Sequence, residues 1–388
     1  MKKYKALLIV LAVIVATLST HYALLASASN KNAVIFETLS GDDRYLSELI
    51  IEGYVDSAHY YSRVQIQDGE TKHLRNSLFD QNAGLAYERL MDDYKDFMRG
   101  KLLRVSHYYE DDEQLIYVKE PDDIWQLTPG DDLPYKVDIL NKSDNSVTSF
   151  TVNNKLAKET EWITLERVLL AGNELKLVSN YAQALGDQEV HLLTIDMKNK
   201  QLKDDFILEK IEHNDQIRKD LGFYNDYSYT GHEKYLAYQV SEHEARSEQV
   251  KPLAQQFMVL NLVTNEVTEL DIPEQMLGDE HRIVVSGHEL IIATIIDGSV
   301  VINRYNIGQD EWLTPITLQA PSKVFERTFF HLQVLNDKLY VLAQVAEGQL
   351  LTVVDAESGE SLYSAIVKSA VNQPLFTFSV ERYHEKVE

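Results

Sequence analysis

Two His-Glu pairs are the first residues of this sequence whose types suggest chemistry. They are His232-Glu233 and His288-Glu289, and a His-Glu pair opens the zinc-binding motif of one class of metalloprotease. That motif needs a second histidine one helical turn later, whereas Leu236 and Ile292 occupy those positions. Each pair also follows a glycine and precedes an apolar run, so we interpret both pairs as turn residues.

Carboxylates are the most abundant chemically active groups. The chain has 61 Asp and Glu against 37 Lys and Arg, which gives a formal net charge of −24. Acidic clusters occur at Asp42-Asp43, Glu110 to Glu113, Asp122-Asp123, Asp131-Asp132, Asp204-Asp205 and Asp279-Glu280. None has the spaced ladder of acids with glycine that is typical of a calcium loop, so we interpret them as solvated turns. A Ca²⁺ ion held in a central channel by separate segments stays an open alternative that no motif supports. No other cofactor is indicated.

The composition excludes several classes of function. The 388 residues contain no cysteine, which rules out disulfides, thiolate metal sites and thiol catalysis. The negative charge disfavours nucleic acid as a partner. No Gly-x-Ser-x-Gly nucleophile motif occurs. Paired carboxylates are compatible with a hydrolase or lyase, but with so many acids their presence identifies no enzyme.

Aromatic residues are the second group of candidate functional side chains. Tyrosine and tryptophan are enriched at recognition surfaces and their rings stack on apolar faces of ligands. The same residues also favour half-buried strands, so a structural role is the alternative. The candidate ligand-binding aromatics are Tyr60, Tyr61, Tyr108, Tyr109, Trp125, Tyr227 and Tyr229.

The N-terminus has the pattern of an export signal. Lys2, Lys3 and Lys5 precede an apolar run, as in the charged and hydrophobic regions of a signal sequence. The run from Ala6 to Ala26 reaches the roughly 20 residues that a helix needs to cross a bilayer. We therefore predict that residues 1–28 are a signal anchor in the cytoplasmic membrane, with residues 29–388 outside. Cleavage near Ala28, which would release the protein, is the alternative.

A repeated pattern of strand, turn and strand organises the rest of the chain. Short turns with Gly, Asn or Asp precede β-rich runs at positions 112, 172, 231, 287 and 336, and a second series lies at 141, 196, 261, 306 and 355. Two interleaved series predict a four-stranded unit that recurs along the chain. Antiparallel units of about 40–50 residues are typical of β-propeller blades.

The repeats predict an all-β fold, a β-propeller of six or seven four-stranded blades. A weaker first copy begins at Ala33, and the apolar residues 375–380 are expected to join the first or last blade. Apolar residues at helical spacing predict a helix of about four turns inserted at residues 80–101, and residues 206–221 are a second, weaker helical stretch. Two stacked β-sandwiches are the alternative architecture.

The last repeat resembles a quinoprotein-type propeller repeat. Leu339-Tyr340-Val341, Leu350-Leu351 and the turn from Asp355 to Gly359 match its order of two strands and an Asp-Ala-x-x-Gly turn. Tyr363 stands where that repeat has tryptophan. The resemblance implies the propeller architecture alone, with no cofactor residues.

These observations favour a binding protein. We expect an extracytoplasmic scaffold that binds a protein or a cell-envelope polymer. The alternatives are a hydrolase or lyase that uses carboxylates in the propeller channel, and a sensor or accessory subunit of a membrane complex.

Overall fold

The computed structural model describes most of the chain after residue 33. The described residues are 10, 13–17, 19–20, 34–57, 60–74, 85–102, 104–183, 186–212, 214, 216–224, 234–245, 252–277, 281–325, 330–369 and 377–385. The predicted membrane segment, residues 1–28, lies largely outside them. In these ranges no helix combines the length and the apolar character needed to span a membrane.

Strands dominate the described residues. They are β1 (Val34–Gly41), β2 (Leu49–Ser57), β3 (Tyr60–Gln67), β4 (Glu70–His73), β5 (Tyr108–Glu110), β6 (Gln114–Lys119), β7 (Asp132–Asn141), β8 (Val147–Lys155), β9 (Trp162–Ala171), β10 (Glu174–Ala182), β11 (Gln188–Asp196), β12 (Gln201–Ile211), β13 (Ile217–Tyr224), β14 (Tyr235–Glu244), β15 (Ala254–Asn261), β16 (Glu266–Leu270), β17 (His281–Ser286), β18 (Glu289–Ile296), β19 (Ser299–Asn306), β20 (Glu311–Trp312), β21 (Ile316–Thr317), β22 (Phe330–Leu335), β23 (Lys338–Val345), β24 (Gly348–Asp355), β25 (Ser361–Ser369) and β26 (Thr377–Glu385).

Among the described residues after residue 33, helices are few and short. The α-helices are α1 (Arg44–Ser47), α2 (Leu85–Asp93) and α3 (Lys95–Met98), and the 3-10 helices are η1 (Val105–His107), η2 (Ile124–Gln126) and η3 (Glu274–Met276).

The strands form six antiparallel sheets of the propeller-blade type. Their strand orders are β26-β2-β3-β4 (sheet 1), β5-β6-β7-β8 (sheet 2), β9-β10-β11-β12 (sheet 3), β13-β14-β15-β16 (sheet 4), β17-β18-β19-β20 with β21 beside β19 (sheet 5) and β22-β23-β24-β25-β1 (sheet 6). Strands that follow each other in the chain pair through tight turns, including Gly287-His288 between β17 and β18. The prediction of an all-β fold with six four-stranded blades is therefore confirmed.

The chain forms two compact units. Unit 1 comprises residues 1–80, 295–301 and 316–388, and unit 2 comprises residues 81–294 and 302–315. Sheets 1 and 6 belong to unit 1. Sheets 2, 3 and 4 belong to unit 2, and the boundary passes through sheet 5.

In unit 1, the first strand completes the last sheet of the chain, and the last strand completes the first sheet. The first strand, β1, pairs with β25 of sheet 6, from Val34 opposite Ser369 to Gly41 opposite Tyr363. The last strand, β26, pairs with β2 of sheet 1. Residues 375–380 were predicted to join the first or last blade, and β26 joins the first. The assignment of Ala33 to the first blade was wrong, because the strand after it completes the last one.

The helical insertion is two short helices rather than one. Helix α2 ends at Asp93 and α3 begins at Lys95, because Tyr94 between them leaves the helical region at φ −128° and ψ 44°. Leu90, Phe97 and Met98 are buried and pack against a core cluster of sheet 2. The predicted start at residue 80 lies outside the described residues.

A buried ion cluster joins this insertion to sheet 2. Glu110, at the end of β5, accepts hydrogen bonds from Arg89 and Tyr94 of the insertion, the latter at 2.9 Å. Lys142, after β7, contacts the same carboxylate at 2.8 Å. Burial alone would raise the pKa of Glu110, but the hydrogen bonds and positive charges of Arg89 and Lys142 lower it to about 2. Glu110 is therefore a buried structural carboxylate, and its prediction as a solvated turn residue was wrong.

The second predicted helix is absent from residues 206–212 and 216–221. These residues belong to β12 and β13, which pair with β11 and β14. Charged and apolar side chains follow each other in short runs along these edge strands, and short apolar runs do not distinguish a strand from a helix.

Candidate functional site

Glu166 lies at an irregularity in strand β9. In the pairing of β9 with β10, Arg167 is opposite Val178 but Leu165 is opposite Ser179, so the register shifts by one residue at Glu166. Such a β-bulge bends the strand and re-aims its side chain, and bulges are common beside functional sites. The local sequence of β9 is otherwise mostly apolar.

Glu120 approaches this bulge from sheet 2. It follows β6 in the chain, and its Oε2 accepts a hydrogen bond of 2.9 Å from the backbone N–H of Leu165. Arg104 lies near the other oxygen, with 3.9 Å between its Nη1 and Oε1. That distance exceeds a hydrogen bond, and the Arg104 side chain is 58% exposed. Glu120 is thus held by the backbone, while Arg104 stays at the surface.

His107 faces the Glu120 carboxylate from the protein interior. Its ring is fully buried, and its Nδ1 donates a hydrogen bond of 2.9 Å to the carbonyl oxygen of Val118. Because Nδ1 carries the proton, Nε2 of the neutral ring is an acceptor. Nε2 faces Oε2 of Glu120 at 3.7 Å and has no hydrogen-bond partner. Two acceptors therefore face each other without a donor between them.

Burial shifts the pKa values of His107 and Glu166 in opposite directions. Burial lowers the pKa of His107, against the negative charge of Glu120. Burial raises the pKa of Glu166 to about 7; the positive charge of Arg104 opposes this and the negative charge of Glu120 adds to it. Glu166 therefore changes its charge near neutral pH. Groups with such shifted pKa values are enriched in functional sites.

Trp125 is an exposed aromatic residue in the loop that follows β6. It lies in η2, five residues after Glu120 in the same loop, and its side chain is 72% exposed. Ile124 before it is buried in a core cluster that includes Ile163 and Leu165 of β9. Asp123 adopts a left-handed conformation, with φ 54°, at the start of η2. The backbone therefore holds the indole at the surface where η2 meets β9.

The predicted ligand-binding aromatics differ in their exposure to solvent. Trp125 is exposed, but Tyr108 and Tyr109 are only 2% and 6% exposed. Tyr108 stacks obliquely on Tyr117 and donates a hydrogen bond to the Leu102 carbonyl oxygen, so both rings belong to the core of unit 2. Tyr60 and Tyr61 lie in β3, and their side chains are outside the described residues. Tyr227 and Tyr229 are outside them entirely.

Across the described ranges, no three His, Asp or Glu side chains lie close enough together to hold a metal ion.

A second polar cluster joins sheets 2 and 3. The hydroxyls of Tyr135 and Tyr181 are 2.8 Å apart, and the Tyr181 ring stacks on His191 at 4.1 Å. His191 Nδ1 lies 2.7 Å from Asp205 Oδ1, and Asn154 donates to the other Asp205 oxygen at 2.7 Å. Asp205 was predicted to be a solvated turn residue, but it lies in strand β12, and its partly exposed carboxylate belongs to this network.

This second cluster resembles a catalytic triad in composition only. Ser179 lies opposite His191 in the β10–β11 ladder, which places a serine, a histidine and an aspartate together. Ser179 is fully buried and His191 nearly so, so no substrate reaches the serine hydroxyl. Burial raises the pKa of Tyr181 to about 12. The cluster is therefore a neutral-phenol network that ties two sheets together.

The sequence prediction missed Arg104, His107, Glu120 and Glu166. Only Glu166 had a local signal in the sequence. It interrupts the apolar run of β9, and charged residues are rare at such buried positions. The other three carry no local signal, because their proximity depends on sheets 2 and 3 packing side by side.

Comparisons with known proteins give only remote likenesses. No protein-family model and no curated protein matches the chain. Among solved structures, the polysaccharide lyase Uly1 is similar at 10% identity and a TM-score of 0.39, over 64% of this chain and 57% of that one. A post-proline cleaving enzyme from Rickettsia typhi has the same identity and TM-score, over 90% of this chain and 47% of that one. The Dos1 propeller is 8% identical, with a TM-score of 0.29, over 61% and 55%. This chain thus spans about half the length of these proteins, and scores this low support no statement about activity.

Proposed function

We propose that this chain is an extracytoplasmic binding scaffold that holds a cell-envelope polymer on the surface formed by Arg104, Glu120, Trp125 and Glu166, hereafter the Trp125 surface. The exposure of Trp125 on a rigid turn is the observation that carries the proposal. An indole that is 72% exposed presents its ring for stacking on a ligand. Residues 1–28 would tether the scaffold to the membrane, or direct its secretion.

The chemistry of the surface suits a sugar-containing polymer. Aromatic rings stack on the apolar faces of ligands while their neighbours supply polar contacts. Glu120, five residues before Trp125 in the same loop, supplies a carboxylate, and the half-exposed Arg104 guanidinium lies 3.9 Å from it. The high negative charge of the chain disfavours anionic polymers.

Substitution of Trp125 by alanine is expected to weaken polymer binding about 30-fold. A central aromatic at a binding surface is worth about 2 kcal/mol or more, and each 1.4 kcal/mol is about tenfold in affinity. The measurement is co-sedimentation of the full chain with purified bacterial cell-wall sacculi over a range of polymer concentrations. Phe206→Ala is the matched control, because Phe206 is an exposed aromatic on outer strand β12. Equal affinity of the wild type and Trp125→Ala, or no binding by the wild type, would refute the proposal.

A second candidate function is an acid–base hydrolase acting on the same polymer. The observation in its favour is that Glu166, with a pKa raised to about 7, interacts with a second carboxylate, Glu120. In glycoside hydrolysis one carboxyl group protonates the leaving oxygen and the other activates water. Release of soluble reducing sugars from sacculi by the wild type, and not by Glu166→Gln, would favour this activity over binding alone.

A further inference from the structure

Strand β8 is the last strand of sheet 2, and no strand in the described part of the chain pairs with its outer side. Such an edge presents N–H and C=O groups on which a strand of another chain can pair, and soluble proteins protect it with charged residues, proline, β-bulges or short strands. β8 has nine residues, and its stretch from Val147 to Asn154 contains no charged residue and no proline. Its pairing with β7 runs without a register shift. β8 therefore has none of these protections.

The last strands of the other five sheets are protected. β4, β16 and β20 have only four, five and two residues. β12 carries five charged residues and pairs with β11 through two register shifts. β1 contains Glu37, and its pairing with β25 shifts before Ser40. Of these six strands, β8 alone is both long and unprotected.

The ladder between β7 and β8 shows which backbone groups point outward. The N–H of Asn141 donates to the carbonyl oxygen of Ser146 at 2.9 Å, and the N–H of Leu156 donates to that of Asp131 at 3.0 Å. Bonded and non-bonded positions alternate along an antiparallel ladder, so the even-numbered residues of β8 bond to β7. The N–H and C=O groups of the odd-numbered residues point outward, and we call these four residues the β8 edge: Val147, Ser149, Thr151 and Asn153.

A second copy of β8 is complementary to the β8 edge. In an antiparallel pair with its two-fold axis at Phe150, Ser149 lies opposite the partner's Thr151, and Val147 lies opposite the partner's Asn153. All four edge residues of each copy are then paired, through about eight hydrogen bonds. Hydroxyl pairs and aromatic pairs that lie opposite each other stabilise a sheet, and this register supplies both, since Phe150 lies opposite its own copy.

Charge also favours a second copy as the occupant. The formal charge of −24 opposes association of two chains, but β8 brings no charge into the pair. Lys155, the next outward residue, lies beyond it, with its N–H bonded to Oδ1 of Asn154 at 2.8 Å and its Nζ 2.5 Å from Asp132. Asp138 beside Ser149 is paired with Lys101 at 3.2 Å. An uncharged edge offers a charged partner strand no ion pair.

We propose that two copies of this chain associate through their β8 edges and join their two copies of sheet 2 into one eight-stranded antiparallel sheet. This inference goes beyond the proposed function and does not depend on the Trp125 surface or its ligand. One strand of each copy takes part, so the interface is small and we expect a dissociation constant in the micromolar range.

Sedimentation velocity of the full-length protein in detergent solution, at up to about 100 μM, tests the association. We expect a monomer–dimer equilibrium that shifts towards dimer between 50 and 500 mM NaCl, because salt screens the repulsion. Thr151→Lys places a protecting charge on the β8 edge and should weaken the dimer at least tenfold. Thr268→Lys makes the same exchange at an exposed position of β16 and should not. Both variants should melt at the wild-type temperature.

The register is tested by cysteine pairs, because the natural chain has no cysteine. Val147→Cys and Asn153→Cys proteins are oxidised separately and as a mixture. Residues opposite each other at a bonded position have Cα atoms about 5.5 Å apart, which suits a disulfide. We expect a cross-linked dimer from the mixture and none from either variant alone.

Three results would overturn the proposal. The first is a wild type that stays monomeric at every concentration and salt. The second is a dimer that Thr151→Lys leaves intact, or that Thr268→Lys weakens equally. The third is a mixture of the two cysteine variants that forms no cross-link, and this result decides the matter if Thr151→Lys proves to be unfolded.

Discussion

Gly41→Ala is expected to destabilise unit 1 by about 2–5 kcal/mol. Gly41 ends β1 at φ +84°, a left-handed conformation that costs other residues about 1–2 kcal/mol. A Cβ there would lie 2.1 Å from the carbonyl oxygen of Leu362 and 2.7 Å from the Cα of Tyr363. These are backbone atoms, so the end of the β1–β25 ladder has to open, which adds about 1–3 kcal/mol.

Gly69→Ala is the matched control for this substitution. Gly69 has a similar φ, +74°, but nothing lies within 4 Å of the position its Cβ would take. Only the conformational cost applies, so we expect a loss of about 1–2 kcal/mol. Urea unfolding of the two variants, followed by intrinsic fluorescence, gives the comparison. Equal losses would show that close packing of β1 on β25 contributes nothing to stability.

Glu110→Gln is expected to release the helical insertion from sheet 2. Removal of the negative charge leaves Arg89 and Lys142 facing each other without their shared partner. The loss costs about 1–3 kcal/mol, because Lys142 stays largely desolvated without its partner while Arg89 is 38% exposed and keeps its ion pair with Asp93. Limited proteolysis should then cut between Leu85 and Met98 at least tenfold faster than in the wild type. Glu113→Gln, in the exposed turn of the same hairpin, should leave the cleavage rate unchanged.

The same carboxylate predicts how stability depends on pH. The pKa of Glu110 is lowered to about 2 in the folded protein, against an ordinary value near 4.5. Its contribution is therefore complete above about pH 4.5 and is lost as the pH falls towards 2. The wild type should lose more stability than Glu110→Gln between pH 5 and pH 3. If both proteins lost the same amount of stability between pH 5 and pH 3, the ionised Glu110 carboxylate would not contribute to the stability of the folded protein.

Local sequence was sufficient to place the hairpins. The turn at Asn336-Asp337 needs two residues with positive φ, and the structure has φ values of 49° and 58° there. Asn and Asp tolerate that conformation, and the apolar runs on both sides favour strands. Turn chemistry and strand pattern act over a few residues, so five turns of the second series and most of the first could be read from the sequence.

Pairing between distant segments could not be read in this way. The exchange of β1 and β26 between sheets 6 and 1 joins residues more than 300 positions apart. Both strands mix apolar and polar residues, and this local pattern does not specify which sheet each strand joins. The choice depends on which sheet lacks a strand once the others have formed.

The same distinction between local sequence signals and tertiary contacts applies to the candidate site. The sequence alone determined that the chain is a repeat of four-stranded antiparallel units with an acidic surface, because strand alternation, turn residues and net charge are local or additive properties. Only the tertiary structure decided that Glu166 occupies a bulge, that Glu120 reaches the backbone of Leu165 and that Glu110 is buried between two cations. Burial and charge proximity set the pKa of a carboxylate, and both arise only when sheets and helices pack together. The 61 acids are therefore equivalent in the sequence, and the fold distinguishes them.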